Sequence, residues 1–249
     1  MLSFSLLISF ENYMHIRNFI IMKTATRTSY SFCRAVCLTT LLCLAIAVLP
    51  CAAQRVSLLG GFTAGNVKMY YQDQKMVTKD RLGYHAGIMT QVKFGKQDKS
   101  SLPKPYISID PSLLYIQKGY DRKEFSGTGF EISNQFNYLQ LSLPLMGNVG
   151  NGRFKLGIGL GPYVGYALSG THTREDIYSE RVVTKLKFGS SDGDHFEALD
   201  YGAIAAVDLR LWYIKFVLQY YRGMNNINPS QYEGSIKNNG FSVSAGICF

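Results

Sequence analysis

The sequence predicts an all-β protein, an eight-stranded antiparallel up-and-down transmembrane β-barrel preceded by a cleavable signal peptide. Three observations lead to this fold class. The chain begins with a segment built like an export signal. Alternation of apolar and small or polar residues with period two then recurs to the end of the chain. The face opposite the apolar residues carries too few charges to be an outer wall in water.

The export signal lies near the amino terminus. Met22 and Lys23 open a basic stretch without acidic residues, an apolar run covers residues 35–49, and small residues follow up to Ala53. The apolar run is shorter than the roughly 20 residues that a transmembrane helix needs. We therefore expect an over-extended start at residues 1–21, a signal peptide at residues 22–53 and the barrel domain at residues 54–249. Cys51 offers a lipoprotein alternative, but Pro50 before it matches a lipobox poorly.

Charge and cysteine content narrow the classes of partner. The formal net charge is +9, yet Lys and Arg are scattered and form no basic block, so nucleic acid is not expected as a partner. Attraction to anionic lipid head groups or polysaccharide suits an exported protein better. Of the five cysteines, only Cys248 lies outside the predicted leader. An intramolecular disulfide and a cysteine zinc site are therefore excluded in the mature chain.

The clearest alternation lies in residues 154–166. Phe154, Leu156 and Ile158 fall on one face, while Lys155 and Gly157 fall on the other. Seven more segments repeat the pattern, and they complete an even number of strands. These segments are residues 54–65, 84–94, 107–115, 138–145, 199–209, 212–221 and 241–249.

The connections between these segments alternate in length, as expected for short turns at one end of a membrane barrel and long outer loops at the other. We expect the outer loops at residues 66–81, 119–129, 170–195 and 223–239. The returns are expected at residues 95–105, 147–152 and 210–211.

The content of the non-apolar face decides which way the apolar face points. A soluble barrel carries many charges on its outer wall, whereas this face is rich in glycine and serine. We therefore expect large apolar side chains toward lipid and a narrow lumen whose opposite charges pair. A salt-bridged plug is favoured over a selective pore, and a soluble lipocalin-like barrel is the remaining alternative. The lumenal candidates are Lys93, Asp110, Gln140, Lys155, Asp200, Asp208 and Lys215.

Aromatic residues near the ends of the predicted strands support a membrane barrel. Interfacial girdles of Tyr, Trp and Phe flank the apolar band of such proteins. The residues expected in the girdles are Tyr84, Phe94, Tyr106, Tyr115, Tyr120, Phe130, Phe154, Tyr166, Trp212 and Tyr220.

Several local strings resemble a known family. They are PSLLYIQKG at residues 111–119, NYLQL at 137–141, GPYVGY at 161–166, GMNNI at 223–227 and the final Phe249. In order and spacing they resemble the PorT-like outer-membrane β-barrel family of the Bacteroidota, over essentially the whole mature chain. The resemblance implies an eight-stranded barrel in the outer membrane, where most members have no defined activity. Phe249 resembles the terminal signal that the barrel-assembly machinery recognises.

Catalytic motifs are missing from the sequence. It contains no P-loop, HExxH or GxSxG motif and no His and Cys cluster with metal-ligand spacing, so we expect neither an enzyme nor a cofactor. His195 near Asp192, Asp194 and Glu197 is a weak cation candidate, and a solvated charged loop is favoured there.

The expected function follows from rigid strands that carry long loops. We expect a structural or binding module whose outer loops, chiefly residues 170–195, contact polysaccharide, a host surface or a partner protein. Outer-membrane lipid, lipopolysaccharide and the barrel-assembly machinery are its other expected partners. The alternative is a small pore or an accessory component of a secretion or transport system.

Overall fold

The computed structural model describes residues 55–72, 74–94, 104–124, 130–151, 153–176, 179–189, 193–229 and 233–249. The predicted start and signal peptide lie outside these residues. Ala53–Phe249 forms one compact unit. Within the described part of the chain, no helix is both long and apolar enough to cross a membrane.

The described residues form twelve strands, and all of their pairings are antiparallel. They are β1 Arg55–Tyr71, β2 Gln74–Met76, β3 Lys79–Lys93, β4 Lys104–Ile109, β5 Ser112–Glu124, β6 Phe130–Ser142, β7 Leu145–Gly150, β8 Phe154–Asp176, β9 Ser179–Lys185, β10 Leu199–Leu211, β11 Ile214–Gly223 and β12 Ser235–Cys248.

The sheet closes on itself because β1 pairs with β3 on one side and with β12 on the other. Around the ring the order is β1, β3, β4 with β5, β6 with β7, β8, β10, β11 and β12. The short strands β2 and β9 add to β1 and β8 at one end. The predicted eight-stranded antiparallel barrel is confirmed.

We call each of the eight strand positions around the barrel a stave, whether it consists of one strand or of two in line. Two staves are interrupted at prolines. The prediction had continuous strands over residues 107–115 and 138–145, but the structure breaks the first at Asp110-Pro111 and the second at Leu143-Pro144. Proline has no N–H to give to a ladder. The carbonyls of these prolines still accept bonds across the break, Pro111 O from Thr90 N at 2.8 Å and Pro144 O from Asp110 N at 3.0 Å.

The connections are shorter than predicted at one end of the barrel. Residues 66–81 contain the end of β1, all of β2 and the start of β3, and residues 170–195 contain the end of β8 and all of β9. The prediction failed there because these extensions pair through mostly polar residues, which give no apolar alternation. We call this end, with its longer connections, the loop end.

The opposite end holds the connections from β7 to β8 and from β10 to β11, and we call it the turn end. The turn between β7 and β8 lies at residues 151–153, since Leu145–Gly150 is strand and not part of the predicted return at 147–152. The turn between β10 and β11 is formed by Trp212 and Tyr213, so Trp212 is a turn residue and not the first strand residue. Its φ of 53° lies in the left-handed region.

The barrel wall turns its large apolar side chains outward. Phe62 is 74% exposed and Ile158 is 70% exposed, whereas Lys155 between the outward residues of β8 is 1% exposed. This arrangement is the reverse of a soluble barrel that encloses an apolar cavity. Two predicted girdle residues do not belong to the outer wall: Tyr120 is buried in the lumen, and Tyr106 lies half-buried beneath the ammonium of Lys93.

Candidate functional site

Two lysines and two aspartates from four staves meet inside the barrel toward the turn end. We call Asp110, Lys155, Asp208 and Lys215 the ionic cluster. Lys155 Nζ lies 2.9 Å from Asp110 Oδ2 and 3.2 Å from Asp208 Oδ2. Lys215 Nζ lies 2.7 Å from Asp208 Oδ2 and 3.8 Å from Asp110 Oδ2. All four side chains are at most 4% exposed, so the charges neutralise one another without water.

Polar neighbours hold the ionic cluster in place. Ser108 Oγ donates to Asp110, and Gln91 Nε2 lies 3.4 Å from both carboxylate oxygens of Asp110. Asn148 Nδ2 donates to Ser108 Oγ at 2.9 Å, which extends the network to β7. Lys215 Nζ also donates to Met89 Sδ at 3.0 Å. Such a network fixes the side chains and leaves no open channel at this level.

The other lumenal candidates lie apart from the ionic cluster. Gln140 is 1% exposed and donates from Nε2 to Ser142 Oγ at 3.2 Å. Lys93 is half-buried, with its Nζ 4.8 Å from the centre of the Tyr106 ring. Among the described residues it forms no ion pair, so it does not take the place that the prediction gave it beside the aspartates.

Asp200 is paired with a lysine that the sequence analysis did not identify. Lys118 Nζ lies 2.8 Å from Asp200 Oδ2, with both side chains at most 1% exposed, and Tyr163 OH donates to Asp200 Oδ1 at 3.1 Å. Lys118 Nζ also lies 4.3 Å from the Tyr163 ring and 4.4 Å from the Tyr221 ring. The sequence did contain a signal for Lys118, because this residue lies four positions after the inward-facing Leu114 and therefore on the same face of β5.

Midway along the lumen, His85 links two staves. Its Nδ1 is 3.0 Å from Thr63 Oγ1 and its Nε2 is 2.7 Å from Ser244 Oγ. Leu59, Met89 and Val217 pack together at a neighbouring level. This part of the lumen is filled by side chains as well.

The lumen is closed at the loop end by an apolar cluster that we call the plug. Phe196, from the connection between β9 and β10, packs on Phe136 with ring centres 4.7 Å apart. Phe188 from the same connection also contacts Phe136, with ring centres 6.1 Å apart. Ile227, from the connection between β11 and β12, is fully buried in the same cluster. Two of the predicted outer connections therefore place apolar side chains inside the barrel.

A pocket of about 320 Å³ lies beside the plug, and we call it the loop-end pocket. Its walls combine aromatic, apolar and hydrogen-bonding side chains. Asn134 Oδ1 is 2.8 Å from Nδ1 of His172, and His195 Nδ1 accepts from Lys187 N at 3.1 Å. The lining residues are Tyr120, Arg122, Ile132, Asn134, His172, Thr184, Leu186, His195 and Phe196.

His172 belongs to the part of β8 beyond the apolar band, whose last large outward residue is Leu168. Burial lowers the pKa of His172, and the charges of His195 and Arg174 lower it further. Both effects favour the neutral ring, in which one nitrogen donates a hydrogen bond and the other accepts one.

The weak cation candidate around His195 falls partly outside the described residues, since Asp192 is not among them. The described part of the chain contains no group of three or more His, Cys, Asp or Glu side chains arranged to hold a metal ion.

Phe249 follows β12 at the turn end. Its backbone N donates to Val56 O at 2.8 Å, while its side chain is 72% exposed. The ring is thus presented on the outside of the barrel, and its predicted part in assembly stays a prediction.

The model of the family described as "Outer membrane protein beta-barrel domain" matches residues 52–228. Among solved structures, Ail, the attachment invasion locus protein of Yersinia pestis, is 12% identical in its complex with the heparin analogue sucrose octasulfate, with a TM-score of 0.36, covering 78% of this chain and 98% of that one. Neisserial surface protein A is 7% identical with a TM-score of 0.32, covering 78% and 96%. The curated proteins contain no match.

Proposed function

The chain belongs to the outer membrane protein beta-barrel domain family, and from that premise we propose that it is a sealed, non-enzymatic binding module whose loop end recognises polysaccharide outside the cell. The barrel provides a rigid support in the outer membrane, and the connections at its loop end provide the specificity. The PorT-like resemblance, the cleaved signal peptide and the contacts with lipopolysaccharide and the assembly machinery are parts of the same proposal.

The observation that carries the proposal is a pocket with both aromatic and hydrogen-bonding side chains that lies on top of a filled lumen. The ionic cluster, the Lys118–Asp200 pair and the plug fill successive levels of the barrel. Small eight-stranded barrels have interiors just wide enough for side chains to fill. A binding role at the surface therefore fits these contacts better than a small pore does.

The chemistry of the loop-end pocket favours a sugar over an apolar ligand. Tyr120 and Phe196 contribute aromatic surface, and Asn134, His172 and Thr184 contribute hydroxyl, amide and imidazole groups that donate and accept hydrogen bonds. Arg122 gives the pocket a positive charge and hydrogen-bond donors, and none of the residues that line it is Asp or Glu. We therefore expect an acidic polysaccharide to bind more tightly than a neutral one.

Binding to immobilised polysaccharides tests this function. The folded barrel in detergent should bind acidic chains, with an affinity that falls as the salt concentration rises. The variant His172→Ala should weaken binding about tenfold, as expected for the loss of a hydrogen bond in a partly dry pocket. Thr173→Ala is the matched control, because neighbouring side chains on a strand point to opposite faces. Equal affinity of both variants and the wild type, or no binding to any polysaccharide, would contradict the proposal.

A further inference from the structure

The turn end of the lumen holds an arginine whose charge is poorly matched. Arg210 on β10 is 2% exposed. Its Nη2 donates to the backbone carbonyl of Asn151 at 3.2 Å. Its Nε is buried and has no hydrogen-bond partner among the described residues. A guanidinium has five donors in a rigid fork, and burying it is costly when those donors are not used.

The charges around Arg210 make its position less favourable still. The charge of Arg55 acts on Arg210 more strongly than that of Asp208 does. Lys93 nearby feels Arg55, Arg210 and Lys155 each more strongly than it feels Asp110. Positive charges therefore lie close to both side chains.

The nearest carboxylates are already engaged in the ionic cluster. Asp110 Oδ2 is bound by Lys155, and Asp208 Oδ2 is bound by both Lys155 and Lys215. The lysines of the cluster therefore occupy the Oδ2 atoms, while Asp208 Oδ1 is buried and has no hydrogen-bond partner among the described residues. Within the described part of the chain, no ion pair joins either Arg210 or Lys93 to a carboxylate.

A second buried donor lies at the same level. The hydroxyl of Tyr106 on β4 is buried and has no hydrogen-bond partner among the described residues. The Nζ of Lys93 lies 4.8 Å from the centre of the same ring, and the charges of Arg210 and Arg55 act on this hydroxyl. Arg210, Lys93 and the Tyr106 hydroxyl thus lie close enough for their charges and dipoles to act on one another.

From this arrangement we propose that the turn end of the lumen binds a tetrahedral oxyanion, a phosphate group, between Arg210, Lys93 and Tyr106. The guanidinium fork suits two oxygens of one phosphate, the ammonium supplies a second positive charge, and a phenol hydroxyl can donate to a third oxygen. The bound anion would compensate the buried charge of Arg210 and use its free Nε. This site lies at the end of the barrel opposite to the loop-end pocket and is independent of the proposed function.

Thermal unfolding of the folded barrel in a non-ionic maltoside detergent tests the site. The probe is inorganic phosphate, titrated against chloride at constant ionic strength and followed by the fluorescence of Trp212, the single tryptophan. A ligand that binds only the folded state raises Tm as its concentration rises. We expect phosphate, and not chloride, to raise Tm of the wild-type barrel. No difference between the two anions would overturn the proposal.

Three variants localise the effect. Arg210→Gln should weaken the apparent affinity for phosphate about tenfold or more, as expected for the loss of a charge-assisted bond. Arg153→Gln removes the same group from an exposed position in the neighbouring turn and should leave the affinity unchanged. Tyr106→Phe removes only the hydroxyl, so it tests the site even if Arg210→Gln fails to fold, and it should lower the affinity. Unchanged affinity in Tyr106→Phe, or in a folded Arg210→Gln barrel, would overturn the proposal.

The same titration in phosphatidylglycerol vesicles distinguishes free phosphate from a lipid headgroup. If free phosphate is the ligand, the Tm gain persists in the vesicles. If the headgroup occupies the site, added phosphate gives no further gain and Arg210→Gln loses the protection that the vesicles give. Either result supports the site. The site is contradicted if vesicles raise the Tm of the wild type and of Arg210→Gln equally and added phosphate raises neither.

Discussion

Charged side chains in the lumen form ion pairs that join different strands of the barrel. Lys118 on β5 and Asp200 on β10 are far apart in sequence and lie 2.8 Å apart inside the barrel. In a dry interior, each charge is tolerated because the other is present. Tyr163 and Tyr221 add aromatic faces toward the same ammonium, which removes the need for water around it.

Breaking this pair should destabilise the barrel strongly. Lys118→Met leaves the buried carboxylate of Asp200 without its cation, which should cost about 3–5 kcal/mol of unfolding free energy. The double variant Lys118→Met with Asp200→Asn should recover part of that loss, since no buried charge is left unpaired. Urea unfolding of the vesicle-inserted protein, followed by Trp212 fluorescence, measures both.

The control for this comparison is Lys185→Met. Lys185 is exposed on β9, so its substitution should change the unfolding free energy by about 0.5 kcal/mol or less. A double variant as unstable as the Lys118→Met single variant would show that the pair has no mutual dependence.

At the scale of elements, each stave has a lipid half and a polar extension. On β8, outward residues up to Leu168 are apolar, and β8 then continues to Asp176 with β9 paired along it. The lipid-facing half must hide every backbone polar group in a ladder, because no water is available there. The extension is free of that demand and can carry polar residues on both faces.

The two halves of the wall should respond differently to the same substitution. Ile158→Arg places a charge in the lipid-facing half of β8 and should cost about 2–4 kcal/mol near the bilayer midplane. Val183→Arg makes a similar exchange on β9, in the polar extension at the loop end, and should cost little. Heat-modifiable migration on gels and urea unfolding in vesicles report both. Harmless Ile158→Arg together with damaging Val183→Arg would mean that the membrane lies elsewhere on the barrel.

Across the whole molecule, closure of the sheet and filling of the lumen complement each other. Pairing of β1 with β12 closes the sheet, so every described strand except the short β2 and β9 has neighbours on both sides. The closed wall then encloses a volume that the ionic cluster, His85 and the plug occupy at successive levels. The two ends differ in consequence, with a pocket of mixed polar and apolar lining at the loop end and, at the turn end, Arg210 and Lys93, which form no ion pair among the described residues.

A sealed lumen predicts that the purified barrel does not conduct ions. In planar bilayers we expect no steady conductance from protein whose folded state has been checked by heat-modifiable migration, since side chains fill the lumen. Discrete and steady conductance steps from the folded protein, absent from a boiled sample, would contradict the sealed lumen and favour the pore alternative.

Alternation along the chain was enough to find the eight staves and the direction of their faces. Residues such as Ile158 and Lys155 follow the period of two directly, because neighbouring side chains of a strand always point to opposite sides. The ends of the strands could not be found in the same way. Polar extensions such as β9 and the interruptions at Pro111 and Pro144 depend on which neighbour accepts each hydrogen bond.

The sequence by itself therefore determined the fold class, the strand number and the facing of most wall residues, since these depend on local chain geometry and on the medium at each face. Only the tertiary structure decided which lumenal charges meet. Strand register and barrel curvature place Lys155 and Lys215 beside Asp110 and Asp208. They also place Lys118 beside Asp200. Arg210 and Lys93 form no ion pair with a carboxylate among the described residues. Pairing across a closed barrel is set by the relative shift of distant strands, and no local pattern in the chain encodes that shift.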